Sequence, residues 1–204
     1  MGRYDRASTK TELAIQDAYW KIYEKGDTDT VTVDEICDEA GVHRSTFYYH
    51  FRSVEAVSDS IKERQMSLLR DLFERTGGKN VDFTAFIPAF QELFDENERY
   101  LVPLVIEYGD REFSFQYRSF LEDMMFEHLK ISYDNRDTRT AGVLATVISG
   151  LVDMFMLALS NHTITLEDAN MLSNGMINTG LRSVLRDGFG IHIGFTMMKL
   201  PQYP

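Results

Sequence analysis

Apolar positions recur at helical spacing along most of the chain. Leu13, Ala14, Ala18, Tyr19, Ile22 and Tyr23 fall at i, i+1, i+5, i+6, i+9 and i+10, the stripe of an amphipathic helix. That helix is expected from about Thr9 to Lys25, stopping at Gly26. Thr32, with Glu35 three residues on, has the form of a capping box and opens a short helix to Ala40. Gly41 breaks it, and a third short helix is expected from about Arg44 to Phe51. Ser53 can cap a long fourth helix reaching about Arg75, where "TGGKN" ends it.

Beyond Asp82 the pattern predicts helices near 83–95, 98–108, 112–132, 138–161 and 166–187. Pro88 and Pro103 fall inside two of these and mark starts or kinks, because proline lacks a backbone donor and clashes with the preceding turn. No run of short alternating strands is present, so the fold class is all-α. The tail differs. In "GFGIHIGF", Phe189, Ile191, Ile193 and Phe195 alternate with Gly190, His192 and Gly194, a period of two that suits an extended arm packed along a neighbouring surface.

Composition narrows this picture. A hydrophobic fraction of 44% in 204 residues supports a real core. Cys37 is the one cysteine, which excludes an internal disulfide and a cysteine-based zinc site and suits a reducing cytoplasm. The opening "MGRYDRASTK" is polar, without the apolar run of a signal peptide, so a cytoplasmic protein is expected. Between Thr140 and Leu166 the one formal charge is Asp153, mid-segment among Ser149, Gly150, Ser160 and Asn161. A charge at that depth costs ~3 kcal/mol in a bilayer. We therefore read a buried interface helix and no membrane span.

The formal net charge is −11, with net −4 over residues 1–55 and net −7 over residues 56–204. Coating nucleic acid or anionic lipid by bulk charge is disfavoured, and any DNA contact must come from local placement. Catalytic patterns are missing. The tail's near miss to a dinucleotide loop has no strand before it, "RTGGKN" lacks phosphate-loop spacing, and His43, His50, His128, His162 and His192 show no zinc spacing. There is no serine elbow or cysteine–histidine nucleophile, so no enzyme, metal or cofactor is expected.

One stretch stands apart, "CDEAGVHRSTFYYHFRS", Cys37 to Ser53. Ile36 with Ala40 and Phe47 with Phe51 are four apart and, with Val42, make a small apolar cluster. Cys37 and Ala40 allow close helix crossing, and Gly41 supplies the turn. With Phe47 and Phe51 inward, Ser45, Thr46 and Tyr49 point outward, flanked by Tyr48 and His50, and Arg44 reaches forward from the first turn. The nearest acids in sequence are Glu39 and Glu55. Donors for phosphate oxygens, an arginine able to fork to guanine O6 and N7, and a threonine methyl for thymine are what a DNA-reading helix presents.

"TVTVDEICDEAGVHRSTFYYHFRSVEAV" resembles the helix-turn-helix of the TetR family of bacterial transcriptional regulators. Thr32, Ala40-Gly41-Val42, Thr46, Phe47, Tyr48 and His50-Phe51 match the family pattern in order and spacing, within about the first 60 residues. The resemblance implies a DNA-binding domain over 1–55 and a helical ligand-binding and dimerisation domain over 56–204. It implies a homodimer through the helices near 138–161 and 166–187, binding a double-stranded, palindromic operator and released from it by a small-molecule effector, most often as a repressor. Carried over by position, Thr32 and Tyr48 would bind phosphates, Arg44, Ser45, Thr46 and Tyr49 would face base edges or backbone, and His50 would sit near a phosphate. Arg3, Arg6 and Lys10 could add to them.

Two positions depart from the family. Val54-Glu55-Ala56-Val57 replaces a Lys-Glu-x-Leu run, and Asp34 stands where some relatives carry a basic residue. Both remove electrostatic affinity, so weak, salt-tolerant non-specific binding is expected. They also motivate an alternative, a sensor or adaptor of the same fold acting mainly through a partner protein. In the C-terminal part the effector candidates are Phe90, Phe120 and Met124, from a Phe- and Met-rich set that is mostly core, with Tyr108 and Tyr117 as polar partners. Asp153 fits three roles: solvent contact at a helix crossing, a hydrogen bond across the dimer, or a polar anchor in the pocket.

Overall fold

The computed structural model describes residues 3–25, 31–107, 109–128, 146, 149–158, 168, 171 and 187. These are all-helical, with turns between helices and no strand among the described residues. The chain divides into two compact units, one ending at Met66 and one beginning at Ser67, and the division falls inside a single helix. The expected tail arm and most of the expected helices 138–161 and 166–187 lie outside the described residues.

In the first unit, α1 (Arg3–Tyr23) packs against α2 (Val33–Ala40) and α3 (Arg44–His50), and the first half of α4 (Val54–Arg75) completes the unit. α1 buries Ile15, Ala18, Tyr19 and Trp20, whereas Leu13 and Ala14 are exposed. This corrects the stripe expected from the sequence. The i, i+3, i+4 set that begins at Ile15 faces the core, and Leu13 lies off it. Trp20 stacks on Tyr23 with ring centroids 4.6 Å apart.

α2 is delimited by its own residues. The Thr32 hydroxyl accepts from the Glu35 amide at 3.3 Å, and the Thr32 amide donates to Glu35 Oε2 at 2.9 Å, completing the capping box. At the other end Gly41 takes the left-handed conformation, φ 65° and ψ 35°. There the Gly41 amide donates to Asp38 O at 3.3 Å and the Val42 amide to Cys37 O at 3.0 Å, the paired bonds of a Schellman ending. α3 follows at once. Phe47 is fully buried from its inner face, with Phe51, Ile36 and Cys37 beside it in the core. Burial pushes the Cys37 thiol pKa up, as suits a small core hydrophobe. Ser53 caps α4 through a 3.2 Å bond from the Ala56 amide.

In the second unit, α4 ends at a turn where Gly77 (φ 115°) and Gly78 (φ 55°) are both left-handed. α5 (Phe83–Leu101) runs without interruption through the expected break between 95 and 98. There the Asn97 side-chain Nδ2 donates to Leu93 O at 2.8 Å, so this polar residue bonds within the helix instead of ending it. Pro88 sits inside α5 and Pro103 inside a π turn, Val102–Ile106. Lacking an N–H, Pro103 cannot continue the α pattern, and the chain closes a wider ring from the Glu107 amide to Val102 O at 2.9 Å. Asp110 then caps α6 (Arg111–His128) with a 2.9 Å bond from the Phe113 amide. The core of this unit includes Leu69, Phe86, Phe94, Leu101, Phe113, Leu121 and, from the helical stretch 149–158, Leu151 and Met156.

The two turn glycines should respond differently to substitution. A Cβ on Gly41 meets nothing within 4 Å, so Gly41→Ala should cost only the left-handed backbone, ~1 kcal/mol. A Cβ on Gly77 would lie 2.8 Å from the Asn80 carbonyl oxygen, so Gly77→Ala should lose more. Urea unfolding of both variants measures the difference. Equal losses would show that the Asn80 turn shifts at little cost.

Candidate nucleic-acid interface

Glycine-forced chain reversal sets the outer face of α3. With Phe47 held in the core, Arg44, Ser45, Tyr48 and Tyr49 are exposed and Thr46 is half-buried. Tyr49 is 82% exposed, an unusual position for a large aromatic ring unless it meets a partner. Lys10 is exposed on α1, while Arg3 and Arg6 lie in the first turns of that helix, where side chains are outside the description.

The exposed face is less free of acid than the sequence suggested. Asp34, ten residues before Arg44, sits in the first turn of α2, and both its carboxylate oxygens accept from Arg44 Nη1 at 2.8 Å. Sequence distance hid this contact, because the reversal at Gly41 brings the starts of α2 and α3 side by side. Arg44 Nη2 also lies 3.5 Å from the Tyr48 hydroxyl. The Tyr48 phenol and then the Asp34 charge hold the Arg44 proton more tightly than usual.

Two further residues of the expected set are engaged within the fold. The Thr32 hydroxyl donates to Glu35 Oε2 at 2.8 Å as part of its capping box. The His50 imidazole turns inward, 5% exposed, with Nδ1 3.1 Å from Glu12 Oε1 on α1. Tyr49 meets that ring edge-on at 5.0 Å. Other basic groups in the unit are also paired. Lys21 lies 3.1 Å from Asp17 and 3.4 Å from Glu39, and the Asp17 hydrogen bond, followed by that of Glu39, raises its pKa. Val54 is half-buried and lines a cleft of about 270 Å³ with Tyr19, Val31 and Lys62.

The effector candidates divide by environment. Phe90 is buried and stacked on Phe86 at 5.5 Å, and Met124 is buried. Phe120 is half-buried, edge-on to Phe73 at 5.5 Å. Tyr117 is completely buried, and its hydroxyl has no hydrogen-bond partner among the described residues. Burial pushes its phenol pKa up. Asp153 is half-exposed and ion-paired with Arg118, whose guanidinium also reaches Ser114 Oγ at 3.3 Å and Val105 O at 3.4 Å. Ser149 adds a second link to α6 by donating to Glu122 Oε1 at 2.7 Å. Tyr108 lies outside the described residues. The sequence reading missed Arg118 as the partner of Asp153. It also missed Gln65, a buried amide with no partner for either polar atom among the described residues. Among the described residues no cluster of His, Cys, Asp and Glu could hold a metal ion, and no helix is long and apolar enough to cross a membrane.

A short capped helix, a left-handed glycine turn and a second short helix with a polar, aromatic outer face define a helix-turn-helix protein. Residues 15–60 match the family model of "Bacterial regulatory proteins, tetR family". Among solved structures, a TetR transcriptional regulator from Streptococcus agalactiae is similar at 26% identity and a TM-score of 0.61, over 85% of this chain and 97% of that one. A fatty acid degradation regulator, FadR, from Bacillus halodurans aligns at 16% identity and a TM-score of 0.47, over 75% of this chain and 96% of that one, a likeness too remote to inform function. No curated protein matches the chain. The match over residues 15–60 and the likeness to the Streptococcus agalactiae regulator support a DNA-binding transcriptional regulator of the TetR type.

The orphaned Tyr117 hydroxyl yields a direct test. Removing a buried polar atom that has no partner relieves a desolvation cost, so Tyr117→Phe should leave the ligand-free protein as stable or ~1 kcal/mol more stable. Thermal and urea unfolding measure this. A loss of stability would show that the hydroxyl is hydrogen-bonded in solution.

Proposed function

We propose that this protein is a ligand-responsive repressor that binds a palindromic operator as a homodimer and is released by a small-molecule effector. The observation that carries the reading is the outer face of α3, where Arg44, Ser45, Tyr48 and Tyr49 stand exposed over a fully buried Phe47. Hydroxyls and a guanidinium there match phosphate oxygens and guanine, and the Tyr49 ring matches a base edge or a thymine methyl. In this reading Tyr48 and Thr32 lie towards the phosphates, and Arg3, Arg6 and Lys10 add charge from α1. His50 serves the interface by fastening α3 to Glu12 on α1.

We assign DNA binding to residues 1–55 and effector binding and dimerisation to residues 56–204. Dimerisation would use the helices near 138–161 and 166–187, and the cytoplasm is the compartment that suits such a regulator. Phe90, Tyr117, Phe120 and Met124 are the effector residues we favour, with the partnerless Tyr117 hydroxyl as the polar handle. The ion pair of Asp153 with Arg118 supports the helix-crossing role for that residue over the pocket role. No catalytic role is assigned to any residue.

The adaptor reading keeps one observation in its favour: the acids of the first unit occupy its basic groups, Asp34 on Arg44 and Glu39 on Lys21. Selection of the purified protein against a random duplex library separates the two. A direct reader enriches a near-palindrome with half-sites ~34–36 Å apart or a multiple of that. A folded dimer that enriches nothing would favour the adaptor.

On the enriched operator, Arg44→Ala should cost ~1–3 kcal/mol at one base pair per half-site. A uniform loss across all sequences would make Arg44 a phosphate contact. Val54→Lys places a cation at the start of α4, and it should tighten binding to any duplex and steepen the salt slope by about one unit. An unchanged slope would mean that position 54 faces away from the backbone.

A further inference from the structure

We propose that Asp34 is a specificity-determining positioning residue: it holds Arg44 in the geometry that reads a base edge and keeps it off the phosphate backbone. This rests on the direct-reader function above. The two residues lie on different helices, Asp34 in the first turn of α2 and Arg44 at the start of α3. Both oxygens of Asp34 accept from one nitrogen, Nη1, at 2.8 Å. On its other side the guanidinium meets Tyr48, with Nη2 3.5 Å from the hydroxyl and the guanidinium carbon 6.0 Å from the ring centroid. Arg44 is therefore gripped at two points.

The pair is not a core feature. The side chains of Arg44 and Asp34 are 58% and 64% exposed, and ion pairs so open to water contribute little to folding stability. What the carboxylate does strongly is local. It offsets the arginine charge that would otherwise be drawn to any phosphate, an attraction with no sequence content. It also leaves Nε, for which the described residues supply no acceptor, and the second hydrogen of Nη2 as the available donor edge. Guanine presents O6 and N7 as two acceptors side by side, a match for such an edge. A carboxylate beside the groove further penalises every register that brings a phosphate to that point. Asp34 thus exchanges general affinity for discrimination, and its loss should reverse the exchange.

The experiment compares wild type, Asp34→Asn, Asp34→Glu and Arg44→Ala in the same random-duplex selection, followed by salt titrations on the enriched operator and on an unrelated duplex. Circular dichroism melts confirm that each variant is folded. Asp34→Asn is expected to bind the unrelated duplex more tightly and with a salt slope steeper by about one unit. Its preference should fall about tenfold at one base pair per half-site, the same pair that Arg44→Ala erases. Asp34→Glu, which keeps the carboxylate, should retain part of that preference. A wild-type consensus that Asp34→Asn reproduces at every position, with the same salt slope, overturns the role of Asp34 and leaves the direct reader standing. An equal loss by Asp34→Asn at all positions, with a lowered melting temperature, makes the pair structural and also overturns it. Absence of any wild-type enrichment overturns both readings together.

Discussion

The left-handed turn at Gly41 is the constraint on which the exposed polar face of α3 depends. α3 has seven residues, and its N-cap, His43, makes no side-chain capping bond. A helix that short does not persist in water by its own propensity. It persists here because the Schellman closure of α2 delivers the chain at the right place for Phe47 and Phe51 to enter the core beside Ile36 and Cys37. The His50–Glu12 contact then fastens its far end to α1. The polar face of α3 is the consequence: whatever is not drawn into that core points to solvent, and the residues there are the ones able to meet a duplex.

In the second unit, irregularity and polarity are concentrated at one place. The Val105 carbonyl lies in the last turn of the π segment, where the helix ends, and Ser114 Oγ donates to it at 3.0 Å with Arg118 close by. Arg118 carries the connection on to Asp153. A backbone acceptor at the end of the π turn is thus satisfied by Ser114 and by Arg118, and Arg118 also ties the stretch 149–158 to α6. Apolar packing gives this unit its bulk, and the small polar chain fixes how its helices are aligned.

Much of the first unit was legible because its signals are local. Thr32, Glu35, Gly41 and Ser53 each act within a few residues, and the structure uses each as its chemistry suggests. The errors arose where periodicity alone had to decide. Leu13 and Ala14 satisfied a helical spacing yet lie off the buried stripe, and the polar run around Asn97 looked like a break yet bonds back into its helix. Contacts between residues distant in sequence could not be read at all. Asp34 with Arg44 and Arg118 with Asp153 join residues 10 and 35 apart, respectively. The effector candidates were chosen by residue type, and Phe or Met composition does not separate a core position from a pocket wall.

The acid rim around α2 bears on how such a regulator would share its time with the rest of a chromosome. Each stretch of duplex is a polyanion that captures basic proteins regardless of sequence, and in a genome these decoy sites vastly outnumber any operator. In the proposed reading, a regulator whose residues 1–55 carry net charge −4, with carboxylates already seated on Arg44 and Lys21, would be poorly retained by decoys. More of its molecules would remain in free solution, and operators would be found by repeated collision more than by sliding along DNA. Fewer copies per cell would then suffice to keep an operator occupied.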